Sequence, residues 1–269
     1  MSLPKDLLEA KEAALAFLSP AVDEIMKWFR TEFSVDQKSD RSPVTIADRK
    51  AEEILRSKIA REFPDHGIIG EEFGEEKSEA EWVWTIDPID GTRSFIRGLP
   101  LFASLMALLH HREPVLGIIV LPALGETVWA VEGRGTFSGD RRLSVSRRET
   151  LQDALVATAD LYCFQQTRSL FLFNRLKKES SLIRTYPDAF GHLMAARGSV
   201  DVMVDPLAYI WDFAPCKVVV QEAGGRFANF TGNAASISQG TAITGNPRLV
   251  QKVRRLYTEK GTRRPRKKG

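Results

Sequence analysis

The chain holds only two cysteines, Cys163 and Cys216, and four histidines in 269 residues. Two cysteines cannot build a disulfide framework, and each lies among apolar neighbours, so both read as buried free thiols of a reducing cytoplasm. His66, His110, His111 and His192 show no ligand-like spacing, and the adjacent pair reads as a solvated strand end. No Ser-His-Asp or Cys-His arrangement, Walker loop or G-x-G-x-x-G occurs, so nothing supports a covalent nucleophile. No run approaches the roughly 20 apolar residues of a membrane span. The opening MSLPKDLLEAKEAA lacks the apolar core of a signal peptide, and a cytoplasmic location is expected.

What is present is ordinary for a globular protein, at 43% hydrophobic and 27% charged residues. The length suffices for a large core in one layered unit or two fused halves. The net charge of +3 is carried by the end of the chain, because KGTRRPRKKG holds six basic groups and no acid; without those six, +3 becomes −3. A tail over 259–269 without aromatics or apolar periodicity is expected to be disordered, with contact to nucleic acid the lesser expectation.

Apolar spacing predicts two helical stretches over 5–31, broken or kinked at Ser19-Pro20, a mobile polar loop over 33–43 and a helix from about 44 to 62. HGIIGEE and EWVWTID read as strands running into acids. From 101 to 132 apolar runs separated by turn residues predict antiparallel strands, with RRLSVS (141–146) as one more. Residues 154–204 alternate strand and helix, with helices near 164–178 and 188–197. A helix from 211 to Gly224-Gly225, strands GRFAN and TAITG, and a helix from about 246 to 257 follow. The two halves are expected to share one sheet system, as an N-terminal α+β lobe (1–148) and a C-terminal α/β lobe (149–258).

Chemistry concentrates in WVWTIDPIDGTRSF (82–95), preceded by GEEFGEE (70–76). Pro88 restricts Asp87 to extended backbone, fitting the end of a strand. Asp87 and Asp90 can converge in a bend, with the Ile89 carbonyl facing the same way, and hard oxygen ligands of this kind suit magnesium. A pair of aspartates can instead cap the turn; Glu71-Glu72 before it and Gly91-Thr92 after it favour the metal reading. Gly91 permits close approach, and the N–H groups of a helix start favour an anion. Thr92 is either a helix cap or a hydroxyl that passes a proton. Asp212 is either a first-turn charge at a helix start or a further metal ligand from the other half, and spacing leaves both open.

Taken together, GEE (70–72), DPIDGT (87–92) and WDFAP…EAGG (211–225) resemble the inositol monophosphatase superfamily of magnesium-dependent sugar phosphatases over roughly residues 5–257. The resemblance implies the layered α/β/α/β/α sandwich of the inositol monophosphatase and fructose-1,6-bisphosphatase type, commonly a homodimer. It implies that Glu71, Asp87 and the Ile89 carbonyl bind one Mg2+ and that Asp87, Asp90 and Asp212 bind another, with two or three ions per site. Asp90, Gly91 and Thr92 would then contact the phosphate ester, and Glu71 and Thr92 would orient and activate water. Asp48 matches an acid near the metals, and Lys38 falls in the loop that closes over them.

Within the superfamily, DGTRSFIRGLPLF with its Arg97-Gly98-x-Pro100 resembles the histidinol-phosphate phosphatase branch. So does RTYPDAFGH (184–192), where Arg184 and Asp188 would face substrate. Pro187 replaces the usual Gly before Asp188, which fixes φ and removes an N–H. Asp205 sits where inositol phosphatases place an acid against substrate hydroxyls. The implied activity is hydrolysis of a small-molecule phosphate ester, with L-histidinol phosphate of histidine biosynthesis first and inositol 1-phosphate second. A nucleic-acid- or protein-binding module on the same fold is the rival.

Overall fold

Alternating helical and extended patterning resolves into eight helices and fifteen strands among the described residues, which are 5–38, 42–232 and 235–259 of a computed structural model. In chain order, α1 (Lys5–Trp28) leads to β1 (Val35–Gln37), β2 (Pro43–Thr45) and α2 (Ile46–Glu62). Then come β3 (Gly67–Gly70), β4 (Gly74–Glu76), β5 (Trp82–Asp90) and the short α3 (Thr92–Ile96). A meander follows of β6 (Ala103–His110), β7 (Glu113–Leu121), β8 (Glu126–Val131), β9 (Gly135–Ser138) and β10 (Arg141–Arg142). The second half runs β11 (Leu155–Thr158), α4 (Leu161–Gln166), α5 (Leu170–Glu179), β12 (Leu182–Thr185), α6 (Asp188–Ala196) and β13 (Val202–Asp205). It closes with α7 (Ile210–Glu222), β14 (Arg226–Ala228), β15 (Ala242–Gly245) and α8 (Pro247–Thr258).

There are two large sheets, where the sequence suggested one shared system. The first has eight strands in the order β10-β9-β8-β7-β6-β5-β3-β4, and the second five in the order β12-β11-β13-β15-β14. The helices explain the separation. α1 and α2 each bury one stripe, Phe17, Leu18, Ala21 and Ile25 on the first and Ala47, Ala51, Leu55 and Ile59 on the second, against one face of the eight-stranded sheet. α7 is covered along its middle, where Phe213, Ala214, Cys216, Val218, Val219 and Val220 are all buried and Lys217 is the one charged residue among them. Cys216, Val219, Val220 and Ala223 pack on Leu105, Ile119 and Ala130 of the large sheet, while Phe213 packs with Phe227 of the small one. α6 shares this middle layer, and α4, α5 and α8 cover the outer face of the small sheet through Phe164, Leu172, Leu176 and Val253. The result is the expected α/β/α/β/α order. Gly117 on β7 makes the middle layer possible, since a Cβ there would lie 2.7 Å from the Pro215 carbonyl of α7.

Several local expectations are corrected. α1 runs unbroken through Pro20, because the apolar face on either side of the proline packs on one surface and outweighs the lost N–H bond. Val35–Gln37, expected in a loop, pairs with β2 as a two-stranded ribbon. The helix near 164–178 is two helices, divided where Arg168 takes a φ of +57°. RRLSVS keeps strand pairing only at Arg141–Arg142, because the Val145 N–H turns away to the Ala223 carbonyl at the end of α7. Cys216 is buried, and Cys163 is only half-buried. The basic tail lies, apart from Glu259, outside the described residues.

Candidate active site

The site forms where three chain segments deliver acids to one point. In β5 the register against β6 shifts between Asp87 and Asp90, so the ladder is interrupted and both aspartates leave the strand on a bulge. The Asp87 carboxylate accepts the Ile89 N–H at 2.9 Å, and Ser104 Oγ donates to the Pro88 carbonyl at 2.7 Å, which fixes the bend. Asp90 is held from the other half of the molecule by the N–H of Ala189, in the first turn of α6, at 2.8 Å. Asp212, at the third position of α7, accepts the Tyr209 N–H at 2.8 Å. The two readings of Asp212 thus coexist: it caps its helix, and its other oxygen is available to the cluster. Ligand oxygens of Asp87, Asp90 and Asp212 all lie within 4.8 Å of one another.

Glu71 follows β3, which runs parallel beside β5, and its N–H reaches the Ile86 carbonyl at 3.3 Å. Lys38 Nζ bridges Glu71 at 2.7 Å and Glu72 at 2.8 Å. Burial works against its charge, yet the Glu71 and Glu72 carboxylates hold the ammonium above its usual pKa. Among the described residues it is the one cation hydrogen-bonded to this group of acids. Asp48, at the third position of α2, closes a capping box with Thr45, accepting the Thr45 hydroxyl at 2.6 Å and its N–H at 2.8 Å. Its second oxygen meets the Thr92 hydroxyl at 3.5 Å, and that hydroxyl donates to the Ile89 carbonyl at 3.0 Å. Gly91 takes a φ of +84° to start α3 immediately beyond Asp90.

Charge is poorly balanced here. Burial first, then Glu71, Asp90 and Asp212, pushes the Asp87 carboxyl well above the usual carboxylate range. Asp90 is raised by burial and then by Asp188 and Asp212, and Asp212 by burial and then by Glu71. Burial also lifts Asp48 to about 6. Buried carboxylates that repel one another in this way call for a compensating cation. An all-oxygen, anionic donor set with one backbone carbonyl fits a hard divalent ion.

The substrate-side residues behave differently. Asp188 begins α6 at a φ of +60°, a strained value for a residue with a Cβ, while Pro187 before it sits at its natural φ of −69°. Its carboxylate lies over Gly91, whose Cβ, if present, would come within 3.2 Å of Asp188 Oδ2. Burial, then Asp205 and Asp160, pushes Asp188 up to about 7, with Arg93 opposing. Asp205 is buried at the end of β13, takes the Leu207 N–H at 3.0 Å and lies 3.5 Å from His192 Nε2. Arg184 is apart from these. It is exposed on the edge strand β12, donates to the Ile183 carbonyl, and has no hydrogen bond or ion pair to the acids among the described residues.

Sequence reading missed Glu52. Fully buried on α2, it accepts the N–H groups of Glu72 at 2.8 Å and Phe73 at 3.1 Å, shaping the turn that presents Glu71, and Arg56 holds it in turn at 2.8 Å. The available signal was its spacing: four residues after Asp48 on one helix face. Asp160 and Arg93 were also passed over, and no local pattern marks them.

Comparison with known proteins bears on what this arrangement is. A model of the inositol monophosphatase family matches residues 6–260. A protein named histidinol-phosphatase from Streptomyces coelicolor is 39% identical over 227 residues, 81% of this chain and 85% of its own length. Another of that name from Mycobacterium tuberculosis is 35% identical, covering 88% of this chain and 93% of its own. At lower identity the chain also matches a protein named inositol-1-monophosphatase from Rhizobium meliloti. Among solved structures, the extragenic suppressor protein suhB of Bartonella henselae superposes with a TM-score of 0.87 at 28% identity, covering 94% of this chain and all of that one. With its layered fold, its acid cluster and these matches, the chain belongs to the inositol monophosphatase family and is a phosphoric monoester hydrolase.

Proposed function

We propose that the protein is a magnesium-dependent phosphatase acting on L-histidinol phosphate. The observation that carries the metal half is the convergence of Asp87, Asp90 and Asp212 within 4.8 Å, directly before the Gly91-Thr92 helix start. Glu71, Asp87 and the Ile89 carbonyl would hold one ion, and Asp87, Asp90 and Asp212 a second. When bound, the ions supply a lowered pKa for the attacking water and neutralisation of charge on the leaving oxygen. The residues do the rest. Asp48 lies 3.5 Å from the Thr92 hydroxyl, where it would take that proton once the Ile89 carbonyl turns to a metal, and Thr92 with Glu71 orients the water toward phosphorus. The N–H groups of Gly91 and Thr92, which have no partner inside the helix they open, receive the phosphate oxygens. Asp90 faces both the metals and the ester. Lys38 lies against Glu71 and Glu72, where it limits the repulsion that they add to the cluster.

Substrate choice rests on Asp188 and Asp205. Histidinol phosphate carries an ammonium beside its ester, and a carboxylate paired with an ammonium in a closed site forms a stronger bond than one with a hydroxyl. Asp188 over Gly91 and Asp205 beside it form a carboxyl wall next to the proposed phosphate position, and an ammonium there would favour the ionised form of Asp188. Inositol 1-phosphate is the second reading, favoured by the place of Asp205, whose carboxylate could equally accept hydroxyls. Arg184, exposed on an edge strand apart from these acids, is left out of the substrate contacts, and the enzyme is taken to act as a homodimer. We place the enzyme in the cytoplasm, with Glu71 and the Asp87–Thr92 motif in the N-terminal lobe and Asp212 reaching them from the C-terminal one. The test is phosphate release from histidinol phosphate, inositol 1-phosphate, adenosine 3′,5′-bisphosphate and fructose 1,6-bisphosphate, with magnesium and with chelator. Magnesium-dependent release led by histidinol phosphate supports the proposal; a preference for inositol 1-phosphate moves the chain to the other branch.

A further inference from the structure

Away from the active site, at the opposite end of β5, a second donor set comes together. Trp82, the first residue of β5, pairs directly with His110, the last of β6. The N–H of His111 donates to the Glu81 carbonyl at 2.9 Å, which locks the start of β5 to the β6–β7 turn. Consecutive strand residues point to opposite faces, so His110 and His111 should diverge. They do not, because His111 takes a φ of +49° and Arg112 one of +68°, values that side chains with a Cβ rarely adopt. The turn brings the two imidazoles side by side, ring centroids 4.2 Å apart, while His110 stacks on Trp82 at 4.1 Å. Glu81 Oε1 lies 3.0 Å from His110 Nε2 and 3.8 Å from His111 Nε2. One ligand atom from each of the three lies within 4.8 Å of the others. The neighbouring cation, Arg112, is engaged by Glu79.

We propose that Glu81, His110 and His111 form a separate metal site for a borderline divalent cation, zinc first. Two imidazole nitrogens and one carboxylate oxygen are the donors zinc takes, at about 2.0–2.2 Å, with water completing the tetrahedron. His110 is partly buried against Trp82, so small rotations of the exposed Glu81 and His111 side chains would close the present spacing to that range. Magnesium prefers the hard, all-oxygen cluster at the other end of the strand, so the two ions sort by ligand type. Bound zinc would tie Glu81, immediately before β5, to the end of β6 and the β6–β7 turn, at the far end of the strand that carries Asp87 and Asp90.

The experiment is calorimetric titration of the magnesium-saturated protein with zinc chloride. The parent should bind one zinc at this site. His110→Phe keeps a ring on Trp82 and removes a ligand; His111→Asn suits the left-handed backbone and removes another. Loss of second-shell groups already weakens metal sites about 10–100-fold, so each variant should weaken zinc binding at least about tenfold. Magnesium-dependent phosphatase activity measured without zinc should be unchanged in both, which shows that they fold. Asp90→Asn should bind zinc as the parent does. Failure of the parent to bind zinc overturns the proposal, as does zinc binding that survives in the His110→Phe/His111→Asn double variant.

Discussion

The proposed metal end and the proposed substrate rim of the site are both acidic, but they are assembled differently. Asp87, Ile89, Asp90, Gly91 and Thr92 come from one strand-to-helix passage whose shape is set mostly within a few residues, with the Ala189 N–H as an added hold on Asp90 and Asp212 joining from α7. Asp160, Asp188 and Asp205 come from the start of α4, the start of α6 and the end of β13, so only the packing of the C-terminal half sets their spacing. The first arrangement suits chemistry common to every phosphate ester. The second is the part proposed to choose the substrate.

The largest expected effect is at the metal end. Asp90→Asn should reduce magnesium-dependent phosphate release to background while the fold persists, because Asn retains an oxygen for the Ala189 N–H. Removing one of several repelling charges should leave the melting temperature of the metal-free variant equal to or above the parent's. Near-normal turnover at saturating magnesium would remove Asp90 from the metal site.

Glu52→Gln should come next. It keeps the buried volume but weakens the hold on the Glu71–Phe73 turn and on Arg56. A supporting group of this kind is worth about 10–100-fold, so the magnesium concentration for half-maximal activity should rise by that factor. An unchanged magnesium titration would show that the turn holds Glu71 without it.

Protonation separates metal-free from metal-loaded protein. Asp188 and Glu72 are each raised to about 7, by burial first, against about 4 for a carboxyl in the unfolded chain. The folded state therefore binds more protons than the unfolded state between those values, and metal-free stability falls as pH rises through that window. Asp87, Asp90 and Asp212 are raised in the same direction, by burial first, and these are the groups that magnesium would bind deprotonated. The gain in melting temperature on adding magnesium should grow from pH 5 to pH 8 on this account, and a gain that shrinks would contradict it.

The smallest effects belong to the histidines. With a water activated at the acid cluster, His66→Ala and His192→Ala should each leave kcat within about tenfold of the parent, since a general base contributes about 10²–10⁴. A thousandfold loss at either position would point to histidine catalysis.

The same contrast governs what could be read from residues alone. DPIDGT was legible because its acids, turn glycine and hydroxyl are contiguous and their chemistry does not wait on distant packing. Glu52 carried a weaker sign, a second acid one turn from Asp48, which a charged helix face also explains. Asp160 and Arg93 carried none. In the fold, amphipathic stripes marked α1 and α2, but the layer between the sheets depended on α7 meeting both sheets along its buried middle and on Gly117 admitting it, and neither fact follows from periodicity. The left-handed turn at His111 was equally hidden, since histidine gives no hint of a positive φ.

The division of labour between the two ends is tested most directly by one ratio: kcat/KM for histidinol phosphate over kcat/KM for glycerol 2-phosphate, in the parent and in Asp188→Asn. A hydrogen bond to a charged group is worth about 1.5–3 kcal/mol, so the ratio should fall by about 10–100-fold, almost entirely through histidinol phosphate. Equal losses on both esters would show that Asp188 serves only to start α6, and that the rim does not choose the substrate.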